Sequence, residues 1–326
     1  MKRLKKIAKF IVKVGFVLFA ALALFEMVYR FNWIDFYSTE LKALNGSGEL
    51  ESKKKKILVF GDSFTANEQS YAAIMQDSIR EFTTINSGVV GISVKQMRLF
   101  FADRVDEFKP DLIIIQLYVG NDFQDYHHSR NWSELSFFRN CYSLIGDKFI
   151  SLQYLNYKLG GLGASNSKVK GMAESDFSPI TYNRREARYF KADAHALNDA
   201  VMIQGNQKST YVEMKNDLQE LIESVKVPVV VLVLPHAAQV TNEYRKNMVT
   251  LGAILPVQRC IGKFGFYDRL KEDLKPLKNV KVISPLTRFR LDSHRKQLYY
   301  PNDPHLTEYG QKQLYDFVRS KVRYIK

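Results

Sequence analysis

Cysteine is nearly absent from this chain, and no cluster of other metal-binding residues replaces it. The 326 residues include two cysteines, Cys141 and Cys260, which are too few for a disulfide framework and lack the paired spacing of a zinc site. The two could form one bridge in an oxidising compartment, and the sequence leaves this open. The six histidines have no partners at metal-ligand spacing. We therefore predict no metal site.

The composition also excludes several classes of protein. Hydrophobic residues make up 46% of the chain and charged residues 25%, values that are typical of a folded protein and not of a disordered, collagenous or coiled-coil one. The net charge of +14 is concentrated, since residues 1–13 carry six basic side chains and no acid, and Lys53–Lys56 add four. The rest of the chain has 38 basic and 34 acidic residues, which does not indicate a nucleic-acid-binding face.

The chain has one long apolar run, and it lies near the N-terminus. Residues 14–25 carry no charge, and residues 9–28 are enough to cross a bilayer, at about 20 residues per span. Tyr29 and Trp33 fit an aromatic belt at the far end of the span. Because basic flanks remain in the cytoplasm, we predict that residues 1–30 form a cytoplasmic basic flank and an uncleaved signal anchor. The rest of the chain would then lie in the periplasm or at the cell surface.

A cleaved signal peptide is the alternative interpretation of this segment. Ala21-Leu22-Ala23 resembles a cleavage site made of small residues, and the apolar run is short. Cleavage would release a secreted protein. A buried amphipathic helix is less consistent with the sequence, because the run is apolar all round.

Apolar runs of strand length alternate with helical patterns after a polar stretch, residues 31–56, which we interpret as a linker. Residues 57–326 would form one domain with an insertion or lid at residues 123–210. Continuous apolar strands separated by helices predict a parallel sheet of about five strands in a three-layer α/β/α architecture. The predicted strands are Ile57–Phe60, Thr83–Asn86, Asp111–Leu117, Val227–Leu234 and Val280–Ile283. The predicted helices include Gln69–Glu81, Ser93–Phe108, Tyr211–Val225 and Thr307–Val322.

Residues that could carry chemistry follow the first strand and precede the last helix. Ser63 lies at the carboxyl end of the first strand, where the crevice of a parallel α/β sheet is found. A serine hydroxyl needs a base to be nucleophilic near neutral pH, and His305 could be that base. Asp303 could orient the imidazole. The alternatives are structural, since Gly61-Asp62-Ser63 could be a plain turn and Asp303 could cap the last helix.

Two further loops carry groups that could stabilise an oxyanion. The second strand leads into a loop that contains Gly88 and Gly91, and the third leads into Gly120-Asn121-Asp122. A glycine lets a backbone N–H approach a substrate oxygen, and Asn121 can donate from its amide. Gly91 is the preferred donor, because Ser93 follows it as a helix start, and Gly88 is the alternative.

These four loops together resemble the conserved blocks of the SGNH hydrolases, the GDSL-type esterase superfamily, in their order and context. Gly61-Asp62-Ser63 is similar to the first block, Gly91 to the second-block glycine, Gly120-Asn121-Asp122 to the third block and Asp303-Pro304-His305 to the fifth. The resemblance covers about residues 57–122 and 227–326. It implies a flavodoxin-like fold with Ser63 as nucleophile, His305 as base and Asp303 as its partner. It also implies an oxyanion hole formed by the backbone N–H groups of Ser63 and Gly91 and by the Asn121 side chain.

The resemblance implies a serine esterase that works through an acyl-enzyme without a cofactor. Export and a membrane anchor favour an acylated glycan as substrate, most simply the removal of O-acetyl groups, as in family members found with cell-surface polysaccharide modification. The same triad could pass an acyl group to a sugar hydroxyl, so an O-acyltransferase is the first alternative. A non-catalytic, tethered glycan-binding protein is the second. The sequence does not specify the oligomeric state.

Overall fold

Five parallel strands form a sheet at the centre of the computed structural model. The structure describes residues 2–79, 81–120, 122–126, 145–146, 148–159, 172–183, 187, 190–191, 193–205, 207–256 and 265–322. The strands are β1 (Lys55–Phe60), β2 (Phe82–Asn86), β3 (Leu112–Tyr118), β4 (Val229–Leu234) and β5 (Val280–Ile283). Their order is β2-β1-β3-β4-β5, and every neighbouring pair is parallel. This is the flavodoxin-like order, so the predicted fold class is confirmed.

Helices surround the sheet and precede it in the chain. Before β1 lie α1 (Lys2–Arg30), α2 (Ser38–Leu44) and α3 (Ser47–Leu50). The remaining described helices are α4 (Tyr71–Ser78), α5 (Val94–Phe108), α6 (Asp122–Tyr126), α7 (Ser151–Lys158), α8 (Ala196–Met202), α9 (Gln207–Glu223), α10 (Asn242–Thr250), α11 (Gly265–Leu274), α12 (Leu286–Asp292) and α13 (Glu308–Val322). The four predicted helices correspond to α4, α5, α9 and α13, and Ser93 is the N-cap of α5 as expected.

The strand order explains why helices cover both faces. The connection through α4 leads from β1 to its neighbour β2, whereas the connection through α5 leads back past β1 to β3. Because such crossovers are right-handed, the two helices lie on opposite faces. α13 packs beside α4, and α9 packs beside α5. Every residue of β3 and β4 is buried, as expected for central strands that are covered on both sides.

Helix α1 combines an exposed apolar segment with a docked C-terminal end. Of the described helices, it is the one long and apolar enough to cross a membrane, and almost none of its apolar stretch is buried. Such a helix is compatible with a membrane anchor or a signal sequence. Near its end, the Glu26 carboxylate accepts the N–H groups of Ile150 and Ser151 at 3.0 and 2.8 Å. These bonds cap the start of α7 and join α1 to the domain.

Tyr29 and Trp33, predicted to lie in one interfacial belt, have different environments. Trp33 is exposed, and its position in an interfacial belt stays a prediction. Tyr29 is 1% exposed, and its hydroxyl lies 2.6 Å from that of Tyr37. The prediction is wrong for Tyr29, because this side chain packs against the segment that follows α1.

Residues 31–56, predicted to be a linker, are folded against the domain. Leu41 on α2 is buried, and the buried Asn45 binds the backbone of Asn86 in both directions. Its amide donates to the Asn86 carbonyl and its oxygen accepts the Asn86 N–H, each at 2.8 Å. The linker interpretation fails because these contacts are with distant parts of the chain, which local polarity does not reveal. The strand β1 also begins within this segment, at Lys55.

The described parts of the predicted insertion, residues 123–210, contact the domain at several places. Tyr154 on α7 lies among the rings of Phe25 and Phe36, beside the end of α1. Helix α8 packs against α11. Residues 174–183 are hydrogen-bonded to the loop that carries His305. The interpretation of the insertion as a lid stays a prediction.

Candidate active site

The first predicted site residue, Ser63, lies at the carboxyl end of β1. In this strand order the chain leaves β1 and β3 in opposite directions, which opens a crevice between their ends. Ser63 follows β1 and is half-buried at this crevice. Asn121 follows β3 in the sequence and lies outside the described residues.

The turn that carries Ser63 is held by hydrogen bonds to β3. The Asp62 carbonyl accepts the Thr65 N–H at 3.0 Å, which closes the turn. The Gln116 side-chain oxygen accepts the Asp62 N–H at 3.2 Å and the Thr65 hydroxyl at 2.9 Å. A Cβ at Gly61 would collide with the side chains of Thr65 and Gln116, so the close approach requires glycine. The segment is therefore a turn, and it also presents Ser63 at the sheet edge.

His305 meets Ser63 across the crevice, although 242 residues separate them in the chain. The His305 Nε2 lies 2.7 Å from the Ser63 Oγ. The His305 Nδ1 is hydrogen-bonded to Oδ1 of Asp303, which also accepts the His305 N–H at 3.0 Å. A hydroxyl, an imidazole and a carboxylate in this sequence of contacts can activate a serine by general-base catalysis. The alternative role of Asp303 as a cap of the last helix is wrong, because α13 begins at Glu308.

The buried Asp303 is stabilised in its charged form. It is 1% exposed, and its Oδ2 accepts a hydrogen bond from the Asn183 side-chain amide at 3.0 Å. Burial acts to raise the pKa of Asp303, but the hydrogen bonds from His305 and Asn183, with the charge of His305, hold the pKa below its ordinary value. The carboxylate is therefore ionised near neutral pH, where it can stabilise an imidazolium.

The two candidate glycines of the second loop differ in how their N–H groups are used. The Gly88 N–H donates to the Asn86 side chain at 3.0 Å, within its own loop. Gly91 has a φ of 72°, in the left-handed region that favours glycine. Because the Gly88 N–H already donates to Asn86, Gly91 is favoured as the donor to a substrate. The oxyanion hole of Ser63, Gly91 and Asn121 stays a prediction.

Aromatic rings pack directly against the imidazole. The Phe64 ring centroid lies 5.0 Å from that of His305 and 4.4 Å from that of Tyr118. The Asp122 carboxylate accepts the Tyr118 N–H at 2.7 Å, which joins the start of α6 to the end of β3. A Cβ at Gly120 would collide with the Tyr118 ring. The third loop thus supports the aromatic layer behind His305.

Two residues of the site have no signal in the sequence. Asn183, in the insertion, donates to Asp303, and Gln311, on α13, donates to the Phe64 carbonyl at 3.2 Å. Both are single polar residues that lie outside the four loops that resemble the SGNH hydrolase blocks. Only the folded chain brings them to the site.

The described residues offer no candidate metal centre. They contain no group of three or more His, Cys, Asp or Glu side chains that could hold an ion. Cys141 and Cys260 lie outside the described residues, so their predicted option of pairing stays open.

Comparison with known proteins finds similarity at the level of structure. No protein-family model matches the chain. No curated protein matches it significantly. Among solved structures, a catalytic mutant of Axe2, an acetylxylan esterase from Geobacillus stearothermophilus, is 14% identical, with 81% of this chain and 93% of that one covered and a TM-score of 0.40. A lipolytic G-D-S-L family member from Veillonella parvula is 14% identical, with 82% and 97% covered and a TM-score of 0.40.

A third similar structure has been described as a putative platelet activating factor from Streptococcus pneumonia. It is 13% identical, with 96% of this chain and 98% of that one covered and a TM-score of 0.42. The esterase and the G-D-S-L protein bear the family and activity names that the four loops predict. Similarities at these identities and TM-scores do not specify the chemistry of this chain. The chemistry is inferred from the geometry of the site alone.

Proposed function

We propose that this protein is a serine esterase of the SGNH type, with Ser63 as nucleophile, His305 as general base and Asp303 as its partner. The observation that carries the proposal is the 2.7 Å separation of the His305 Nε2 and the Ser63 Oγ, with the other imidazole nitrogen bonded to a buried carboxylate. This geometry matches the requirement that the base lie within about 2.6–3.2 Å of the proton it removes.

The reaction would proceed in two halves. The Ser63 Oγ attacks the acyl carbonyl while the His305 Nε2 takes the hydroxyl proton, and the tetrahedral oxyanion is stabilised by N–H donors of the Ser63 and Gly91 backbones and the Asn121 amide. The ester C–O bond then breaks, and His305 returns its proton to the leaving alcohol. Water, deprotonated by His305, then attacks the acyl carbonyl. The bond between the acyl carbon and the Ser63 Oγ breaks, His305 returns the proton to that oxygen, and the acid is released.

Location suggests the substrate class. The exposed apolar helix α1 and its basic N-terminal flank favour an anchor with the domain outside the cytoplasm. We infer that the ester belongs to a glycan at that side of the membrane, with O-acetyl groups as the simplest acyl substituent. Transfer of the acyl group to a sugar hydroxyl would use the same residues.

Serine labelling and turnover test the proposal. A fluorophosphonate probe should modify Ser63, as shown by mass spectrometry of the labelled peptide, and Ser63→Ala should abolish labelling. With a chromogenic acetyl ester, Ser63→Ala and His305→Ala should each reduce kcat by a factor on the order of 10⁶. Ser224→Ala, which changes an exposed serine at the end of α9, is the matched control and should keep full turnover.

The outcomes separate the candidate functions. An active Ser63→Ala protein would contradict the proposal, and absence of both labelling and turnover in the wild type would favour a non-catalytic glycan-binding protein. Adding an oligosaccharide to the assay distinguishes hydrolysis from transfer, because transfer yields an acetylated sugar.

A further inference from the structure

Part of the insertion is hydrogen-bonded to the loop that carries Asp303 and His305. We call residues 174–183 the strap. The fully buried Asn302 accepts the Ser178 N–H at 2.6 Å and donates to the Asp176 carbonyl at 2.6 Å and to the Glu174 carboxylate at 3.0 Å. Three bonds from one side chain fix the strap on the residue that directly precedes Asp303.

Asn183, at the end of the strap, continues this contact onto Asp303 itself. Its N–H donates to the Asn302 carbonyl at 2.9 Å, and its side-chain amide donates to Oδ2 of Asp303 at 3.0 Å. Asn183 is 4% exposed, so the amide is held in place by its surroundings. The two oxygens of Asp303 therefore face different partners, with His305 at Oδ1 and the strap at Oδ2.

We propose that Asn183 is a positioning residue for the Asp303–His305 pair, and that the strap is therefore a working part of the site. The inference rests on the proposed function. A carboxylate bonded through one oxygen alone can rotate about its bond to the chain, which would turn the imidazole away from Ser63. The Asn183 amide opposes this rotation and favours the charged carboxylate by donating to it.

The charged surroundings of Asp303 in the described structure allow a defined pH test. The titratable groups near Asp303 are His305 and Tyr300, which lie on the same loop. Glu174 is linked to this loop by its hydrogen bond with the side chain of Asn302, the residue before Asp303. Replacing Asn183 by leucine, which is similar in volume, removes the donor without adding a charge. A carboxylate with one fewer donor is stabilised less in its charged form, so it takes up a proton at higher pH. The pKa of Asp303, which the Asn183 amide helps to lower, should therefore rise.

The test follows the Asp303 carboxyl carbon by NMR in the full-length protein in detergent micelles. In a Ser63→Ala background, Asn183→Leu should shift the titration of Asp303 to higher pH, because the variant removes one donor to the carboxylate. In the otherwise wild-type enzyme it should lower kcat for a chromogenic acetyl ester about tenfold with little change in KM, and shift the acid limb of the rate profile to higher pH. Asn183→Ala, which leaves a smaller side chain, should move both quantities in the same direction.

Asn279→Leu is the matched control for lost hydrogen bonds. The Asn279 amide donates to backbone carbonyls, including that of Val225 at 3.0 Å, at the opposite end of the sheet. Asn279→Leu should reduce stability without moving the Asp303 titration or the acid limb of the rate profile. If the folded Asn183 variants titrate and turn over like the wild type, the inference is wrong and the esterase stands. If the titration shifts but the wild type has no turnover, the positioning contact stands and the proposed function fails.

Discussion

The substitution Asp303→Asn tests whether the site needs a carboxylate or merely a side chain of that shape. Three donors converge on Asp303: the His305 Nδ1–H, the His305 backbone N–H at 3.0 Å and the Asn183 amide at 3.0 Å. Asparagine has one acceptor oxygen, so its NH₂ group must face one of these donors. If it faces His305, the ring must accept at Nδ1, and its proton then lies on Nε2. An imidazole protonated at Nε2 cannot take the Ser63 proton.

The expected loss is large and can be stated. Loss of the correct tautomer costs roughly 10⁴ in kcat in serine hydrolases, which corresponds to about 5 kcal/mol in the activation free energy. The buried donor left without an acceptor should cost about 1–3 kcal/mol of unfolding free energy. Turnover of a chromogenic acetyl ester, with Ser63→Ala as the baseline, measures the first quantity. Urea unfolding measures the second.

A buried aspartate elsewhere provides the control. Asp292 is 7% exposed and pairs with Arg288 at 3.1 Å on α12, so Asp292→Asn should lower stability and leave kcat unchanged. A folded Asp303→Asn protein that keeps more than about a tenth of the wild-type kcat would refute the reasoning, because the wrong tautomer could not then be the barrier.

Three further outcomes follow from the structure. The pKa of Asp303 is held below its ordinary value of 3.8 in the folded protein. The stability that this carboxylate contributes is therefore present above pH 3.8 and is lost as the pH falls through the lower pKa of the folded state. In urea unfolding at several pH values, the difference in unfolding free energy between the wild type and Asp303→Asn should shrink as the pH falls. Gly120→Ala should lower the free energy of unfolding by about 1–3 kcal/mol and reduce kcat, because the added Cβ displaces the buried Tyr118 ring. Calorimetry measures the loss of stability, and an ester turnover assay measures kcat. Glu26→Ala should speed hydrogen exchange at the Ser151 amide without changing kcat, because it removes the cap of α7.

The sheet could be predicted from the sequence because its strands are buried on both faces. A strand in that position needs an unbroken apolar run, and β3 and β4 provide one. The predicted strand ends differ from the observed ones by at most two residues. The helix α2 could not be predicted in the same way, since it is short and has one buried residue, Leu41, which belongs to the hydrophobic core.

Only those residues of the candidate site that belong to a recognisable sequence motif could be predicted. Ser63 and His305 lie in loops whose order along the chain is itself a signal, and the structure brings the two side chains together. Asn183 carries no such signal, because one asparagine in a long irregular segment has many possible roles. Its contact with Asp303 exists only when the strap folds back on the loop.

The meeting of Ser63 and His305 depends on how the two ends of the domain are joined. Gln311, in the first turn of α13 and 3% exposed, accepts the Tyr71 N–H at 2.9 Å and donates to the Phe64 carbonyl at 3.2 Å. One side chain thus holds both the residue after Ser63 and the first residue of α4. The helix that follows His305 is therefore bonded to the turn that carries Ser63. The distance between hydroxyl and imidazole is set by the packing of α13 on α4 as well as by the loops themselves, which is why a short motif at either end cannot specify it.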